Sequence, residues 1–320
     1  MTLPFQILLF VVGLALIIFG ADWLVDGASS IARKSGISEF VIGLTIVGMG
    51  TSAPEMVVSF LGAVKGNADI AVGNVVGSNI FNTLLILGLT ALVMPVTITR
   101  SNLRRDIPVN LAATLLLILL GMKGTLLGMG RDGLGRPEGA ILLLLFAAYM
   151  FWSFKNDSKA GGDETHGKAI RPGMAALMVA GGLGALVGGG ELFVDSATAI
   201  AKYLGISDKF IAITILAGGT SMPELATCIV AAAKKKGQLA LGNILGSNVF
   251  NILLILGGSA LIHPLSFASM NLIDMGTLFL GALLVLVSAF TFRRNVLDRI
   301  DGMVLLLCEA AYFTWLCIHL

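Results

Sequence analysis

The sequence predicts an all-α integral membrane protein with ten transmembrane helices, arranged as two inverted five-helix repeats. Three observations carry that expectation. The 320-residue chain is 56% apolar and only 12% charged, with a mean hydropathy of +0.93, which excludes a soluble globular domain. Its apolar runs match the roughly 20 residues needed to cross a hydrocarbon core of about 30 Å and are too long for barrel strands. The chain also repeats itself: shifted by 169 positions, Asp26 meets Asp195, Gly36-Ile37-Ser38 meets Gly205-Ile206-Ser207, Glu55 meets Glu224 and Pro95 meets Pro264, without a gap.

The elements follow in order. Span 3–33 opens on "MTLPFQILLF", which has no positive n-region and no small-residue cleavage site, so an uncleaved first span is expected. It carries Asp22 and Asp26, four apart on one face. Span 38–64 is polar at its limits, Glu39 and Lys65, and in the middle, "GMGTSAPEMV" (48–57). Span 70–96 holds "GNVVGSNIFNTLLILGLTAL" (73–92), and spans 104–122 and 137–154 complete the first half, residues 1–154. The polar stretch "KNDSKAGGDETHGKAI", Lys155 to Ile170, reads as a solvated linker within 155–172; its Asp157, Asp163 and Glu164 do not follow an EF-hand spacing. The second half, 173–320, repeats the scheme in spans 173–203, 208–233, 238–263, 269–291 and 300–318. There Glu191 and Asp195 stand for the first pair of acids, and "AGGTSMPELA" (217–226) for the first motif. "GNILGSNVFNILLILGGSAL" (242–261) shares fourteen of twenty residues with its counterpart. Five crossings per half, an odd number, place the second copy upside down relative to the first.

Charge supplies orientation. With the N-terminus outside, fifteen of the twenty-one Lys and Arg residues fall in cytoplasmic loops, among them Arg33, Lys34, Arg104, Arg105, Lys234, Lys235, Lys236, Arg293 and Arg294. Lys65, Lys123, Arg131, Arg136, Lys202 and Lys209 fall outside. The expectation is a multi-pass protein of the inner or plasma membrane with both termini outside. The net charge of +2 holds no basic run suited to nucleic acid. Cys228, Cys308 and Cys317 lack metal-ligand spacing and, being odd in number, make no disulfide framework. No protein partner is evident.

Glu55 and Glu224 pose the central question, because an isolated acid at mid-membrane costs about 3 kcal/mol or more unless paired or hydrated. Locally, Ser52-Ala53-Pro54-Glu55 and Ser221-Met222-Pro223-Glu224 read as capping boxes with proline in the first turn. That places breaks at Gly50-Thr51 and Gly219-Thr220, where unwound backbone would expose carbonyl oxygens beside a cavity. The next span adds Ser78 with Asn82, and Ser247 with Asn251, each pair four apart on one face. Gly73 and Gly77, like Gly242 and Gly246, form G-x-x-x-G and allow close helix approach. The inventory is carboxylates, hydroxyls, amide and backbone oxygens, which selects hard cations such as Ca²⁺ and Na⁺ over zinc or copper. The alternative is capping for the glutamates and interhelical hydrogen bonds for Ser78, Asn82, Ser247 and Asn251. Asn74, Asn79, Asn243 and Asn248 are expected to point elsewhere.

GTSxPE followed by GNxxGSNxFN, both duplicated, resembles the sodium/calcium exchanger family of the cation/calcium antiporter superfamily over nearly the whole chain. The resemblance implies ten helices in two inverted repeats, the first and sixth long and tilted beside a core of the other eight. It implies a Ca²⁺ site from Glu55, Glu224 and the carbonyls of Thr51 and Thr220. Flanking Na⁺ sites would use Ser52, Ser78, Ser221 and Ser247, with the carbonyls of Gly48 and Ala217. Some members carry an acid where Asn82 or Asn251 stands here, so K⁺ coupling is not implied for this chain. The expected function is Na⁺/Ca²⁺ antiport by alternating access, without covalent chemistry or a resident cofactor. A Ca²⁺/H⁺ antiporter on the same fold is the near alternative and a cation channel a more distant one. An enzyme is not expected: no Ser-His, paired catalytic aspartate or zinc motif occurs, and His166, His263 and His319 fall in loops or at the end.

Overall fold

The computed structural model describes residues 2–128, 130–156, 170–205 and 217–319. Most of the linker, with Asp157, Asp163, Glu164 and His166, lies outside the described residues, as do Lys209, Ile206, Ser207 and the first part of expected span 208–233.

The helices are α1 (Leu3–Ser35), α2 (Glu39–Thr51), α3 (Ala53–Val64), α4 (Ala68–Val93), α5 (Ile107–Gly121), α6 (Arg136–Lys155), α7 (Pro172–Tyr203), α8 (Met222–Ala233), α9 (Gly237–Ile262), α10 (Leu272–Ser288) and α11 (Arg299–His319). Among the described residues six are each long and apolar enough to cross a membrane, and the pair α2 and α3, bent by 50°, makes a seventh. Expected spans 104–122 and 269–291 appear as the shorter helices α5 and α10, and the described part of expected span 208–233 contains α8. π-Helical turns interrupt α2 at Gly43–Val47, α4 at Asn82–Ile86 and α9 at Phe250–Leu256; such bulges often mark functional positions.

α9 is the buried axis of the molecule, with every residue from Leu239 to Leu253 buried. Its Gly242 and Gly246 permit this: a Cβ on Gly242 would lie 2.2 Å from the Phe40 carbonyl oxygen, and one on Gly246 2.4 Å from that of Leu44. The G-x-x-x-G expectation therefore holds against α2. Gly73 and Gly77 meet no such backbone among the described residues.

α1 and α7 form an antiparallel pair along a seam of small residues, in which Gly13 faces Gly189, Gly20 faces Gly182 and Gly27 faces Ala175. Two short antiparallel ladders join the halves elsewhere. β1 (Val96–Thr97) pairs with β4 (Val296–Leu297), and β2 (Gly133–Leu134) with β3 (Leu265–Ser266). They give partners to backbone groups where the chain leaves one helix for the next. The repeat is not gap-free over its whole length. Beyond Pro264 the structural correspondence becomes Arg136 with Arg299 and Gly139 with Gly302, where Gly139 packs on Gly257 and Gly302 on Gly88. The connection from Gly121 to Gly133, which includes the short helix Lys123–Leu127, is longer than its counterpart from Phe290 to Val296.

The acids late in α1 are ion-paired. Lys234 Nζ, just past α8, lies 2.7 Å from Asp22 Oδ1 and 2.9 Å from Asp26 Oδ1, and Lys236 Nζ lies 3.4 Å from Asp26 Oδ1. Partial burial opposes the charge on Lys234, but the two carboxylates outweigh it and raise its pKa above the ordinary lysine value. Glu191 and Asp195 are exposed and make no ion pair among the described residues.

The seam generates a test on a single helix. A Cβ on Gly182 would stand 2.7 Å from both Gly20 O and Leu24 N, whereas one on Gly184 meets nothing within 4 Å. Gly184→Ala is expected to be neutral or to stabilise by up to about 1 kcal/mol through helix propensity. Gly182→Ala is expected to lower the unfolding temperature of detergent-purified protein. Equal shifts for the two variants would remove the close seam.

Candidate ion-binding site

Ser52 has φ −83° and ψ 10° and separates α2 from α3; Ser221, with φ −89° and ψ 7°, occupies the same place before α8. Residues Gly48–Thr51 and Ala217–Gly219 are helical turns, so the expected break at Gly50-Thr51 contracts to Ser52 alone, while that at Gly219-Thr220 falls on Thr220 and Ser221. Pro54 and Pro223 explain the break. Neither has an N–H to offer the carbonyl four residues earlier, on Gly50 or Gly219.

The capping-box expectation is overturned. Neither serine hydroxyl caps its own helix. Ser52 Oγ instead donates to Glu224 Oε1 at 2.8 Å, and Ser221 Oγ donates to Glu55 Oε1 at 3.3 Å. Each hydroxyl thus serves the carboxylate of the other half, because an ionised acceptor makes a stronger hydrogen bond than a neutral one. Thr220 also faces Glu55, and Thr51 and Ser247 face Glu224. Both glutamates sit in the first turn of a helix, where the dipole favours negative charge. They are 1% and 0% exposed and close enough to repel each other.

Four buried acceptors on the expected site residues have no hydrogen-bond partner among the described residues: Glu55 Oε2, Glu224 Oε2, Asn82 Oδ1 and Asn251 Oδ1. All are hard oxygens. An unpaired buried acceptor costs roughly 1–3 kcal/mol, and more when charged, a cost that a cation reaching these oxygens would offset. Among the described residues no three His, Cys, Asp or Glu side chains converge on one point.

The other expected site residues are placed as follows. Ser78 and Ser247 are buried one turn before Asn82 and Asn251. Ser247 Oγ donates to the Gly48 carbonyl at 3.3 Å, which also accepts from Ser52 N at 3.1 Å and Thr51 Oγ1 at 3.4 Å. Gly48 is thus available to an ion only when those donors turn aside. Ala217 lies in the helical turn before Thr220.

The remaining asparagines, expected to point elsewhere and to be structural, make structural hydrogen bonds, and two of them bond to Asn82 and Asn251. Asn79 Oδ1 accepts from Asn251 Nδ2 at 2.9 Å, and Asn248 Oδ1 accepts from Asn82 Nδ2 at 3.4 Å. Asn74 Nδ2 donates to the Glu55 carbonyl and to Ser59 Oγ. Asn243 accepts from Thr51 Oγ1 at 3.2 Å and donates to Cys228 Sγ at 3.2 Å. The available signal was the spacing of three between Asn79 and Asn82, and between Asn248 and Asn251, which also shares a helix face. The three cysteines are free, as expected, and Cys228 is buried.

The sodium/calcium exchanger protein family matches the chain over residues 5–155 and 174–318. The putative antiporter CaxA of Alkalimonas amylolytica is 40% identical over 313 residues, covering 94% of this chain and 95% of its own. The sodium/calcium exchanger MaX1 of Methanosarcina acetivorans is 33% identical over 344 residues, covering 97% of both. The solved structure of the sodium-calcium exchanger NCX_Mj soaked with 2.5 mM Na⁺ and 10 mM Sr²⁺ superposes with a TM-score of 0.83 at 31% identity, covering 98% of this chain and 99% of its own.

The four unpaired acceptors predict a stability signature. Ca²⁺ at a hundredfold excess over its Kd is expected to stabilise the parent by about 2.7 kcal/mol. Glu55→Gln and Glu224→Gln each remove one buried charge, so in cation-free buffer at neutral pH each is expected to be at least as stable as the parent, yet to lose the Ca²⁺-induced rise in unfolding temperature. Either variant retaining the full rise would exclude that carboxylate from the site.

Proposed function

The chain belongs to the sodium/calcium exchanger family, and from that premise we propose how its own residues carry the exchange. It is a membrane protein and a Na⁺/Ca²⁺ antiporter. The reading assigned here is that Glu55 and Glu224 hold Ca²⁺ together with the Thr51 and Thr220 carbonyls. Asn82 and Asn251 complete the oxygen shell. Ser52, Ser78, Ser221, Ser247 and the carbonyls of Gly48 and Ala217 serve Na⁺. The carrying observation is the set of unpaired acceptors on Glu55, Glu224, Asn82 and Asn251, drawn from both halves of the chain.

The coupling logic is competition. One Ca²⁺ neutralises two carboxylates, and so do two or more Na⁺, but a site with neither keeps two like charges in a dry interior at a cost of several kcal/mol. Closure around an empty site is therefore disfavoured, and each crossing is made loaded. Because Asn82 and Asn251 are neutral, the ionised site balances one Ca²⁺ without K⁺.

The architecture we assign is ten spans in two inverted five-helix repeats, 1–154 and 173–320, joined by a cytoplasmic linker, 155–172. The antiparallel pairing of α1 with α7 at repeat-equivalent glycines supports inversion, as does the reciprocal exchange of Ser52 and Ser221 hydroxyls. The Lys and Arg distribution supports an inner-membrane location with both termini outside.

Two experiments test this reading. In proteoliposomes, Na⁺-driven ⁴⁵Ca²⁺ uptake is expected to continue when choline replaces K⁺ on both sides. Asn251→Asp adds a third carboxylate whose pKa rises beside like charges, so its uptake should match the parent's once the pH drops below that raised value, where the side chain is neutral like asparagine, and should fall below the parent's or respond to K⁺ above it. A parent that stops without K⁺ would overturn the charge argument, and a mutant matching the parent at every pH would place Asn251 away from the ions. In a background lacking Cys228, Cys308 and Cys317, Lys65→Cys and Lys234→Cys are expected to react with an impermeant maleimide from opposite sides. Labelling from the same side would refute inversion.

A further inference from the structure

We infer that Asn79 and Asn248 are positioning residues: they hold the amides of Asn251 and Asn82 with their carbonyl oxygens turned toward the transported cation, Asn79 more firmly than Asn248. The inference rests on the assignment of the ion site to Glu55, Glu224, Asn82 and Asn251. It starts from an ambiguity in amide chemistry. An asparagine side chain ends in an acceptor and a donor of nearly equal size. Oxygen toward a cation is attractive and NH₂ toward it repulsive, so a rotation of the amide reverses the sign of the contact while changing the shape of the pocket very little. Something must fix the rotation.

The structure supplies a directional chain. Asn79 Nδ2 donates to the backbone carbonyl of Asn248 at 3.1 Å. A carbonyl only accepts, so this bond commits the NH₂ group of Asn79 and leaves its Oδ1 facing the other way. That oxygen accepts from Asn251 Nδ2 at 2.9 Å. Asn251 Oδ1 is thereby directed away from Asn79, and it has no hydrogen-bond partner among the described residues. On the other side Asn248 Nδ2 donates to Thr83 Oγ1 at 2.8 Å, and Asn248 Oδ1 accepts from Asn82 Nδ2 at 3.4 Å. Asn82 Oδ1 is again without a partner. The second chain ends on a hydroxyl, which can donate as well as accept, and its last bond is long. Its direction is less firmly set. All four asparagines are at most 3% exposed, so solvent does not supply alternative partners at their surface.

The test is a cycle with Asn251→Asp. A carboxylate presents an acceptor on either face and needs no orienting. If Asn79 acts through the rotation of Asn251, Asn79→Leu should raise the half-saturating Ca²⁺ concentration for Na⁺-driven uptake by about tenfold, equivalent to about 1.4 kcal/mol. In the Asn251→Asp background, at fixed pH, the same substitution should matter by less than about threefold, equivalent to about 0.65 kcal/mol. Asn248→Leu should fall below Asn79→Leu in effect. A purely structural role would give the same loss in both backgrounds and would overturn the inference, as would parent-like Ca²⁺ dependence in Asn79→Leu. Should Asn79→Leu fail to fold, Asn79→Ser carries the test: its hydroxyl has no fixed direction, and a Ca²⁺ dependence equal to the parent's refutes the proposal. Glu55→Gln, measured alongside by Ca²⁺-induced thermal stabilisation, separates the two levels. If it binds Ca²⁺ like the parent, the site assignment fails; if it loses binding while Asn79→Leu behaves as the parent, only the positioning role fails.

Discussion

Two carboxylates buried within reach of each other's charge are the constraint around which this molecule is organised. Among the described residues neither glutamate has a basic partner, and their negative charge is met by dipoles: hydroxyls, amides and the first turns of α3 and α8. Dipoles soften the cost without neutralising it. That residue of unbalanced charge is what makes the site selective for cations and intolerant of being sealed empty. A buried arginine in the same place would have produced a rigid and inert core, as Arg105 does beside Asp106, where a bidentate pair is finished by Tyr149 and Asn102.

The means of support are shared across the duplication. A serine from one half is the donor to the acid of the other, and an asparagine from one half accepts from an asparagine of the other. Neither half could present a finished site alone. This also explains why α9 tolerates no bulk at Gly242 and Gly246: the backbones of α9 and α2 must approach for Ser247 to reach the carbonyl of Gly48.

Much of this was legible in the sequence because the signal was duplicated. Apolar length gave the membrane helices, and a constant shift brought out the duplicated motifs, with two acids that are both buried. Other features were hidden for definite reasons. Ser-x-x-Glu is a local capping pattern, and nothing local reveals that a carboxylate from far along the chain competes for the same hydroxyl. The break at Ser52 fell later than Gly50-Thr51 because glycine permits a break while proline imposes one, and Pro54 acts on the turn before it. Asn79 and Asn248 were set aside by counting only a spacing of four, although residues three apart are also neighbours on a helix. The change of repeat register after Pro264 lies in loops of unequal length, which carry no periodic signal.

The two ladders have a mechanical reading. β1 with β4 and β2 with β3 fasten one half of the chain to the other at the ends of α4 and α9, and the buried bundle lies between these fastenings. No ladder strand directly adjoins α1 or α7 in sequence, and they meet each other over glycine backbone, with side chains such as Phe10 and Phe193 packed across the seam. In engineering terms the molecule is a frame fastened by two ladders, against which a pair of rails is held by packing, as of Leu183 on Gly50 and Val194 on Gly219, and by the contact of Asp22 and Asp26 with Lys234 and Lys236. Compliance is thus distributed unevenly: a load on the frame is shared by its hydrogen-bonded ladders, whereas a load along the rails is borne by side-chain packing together with the charged contact.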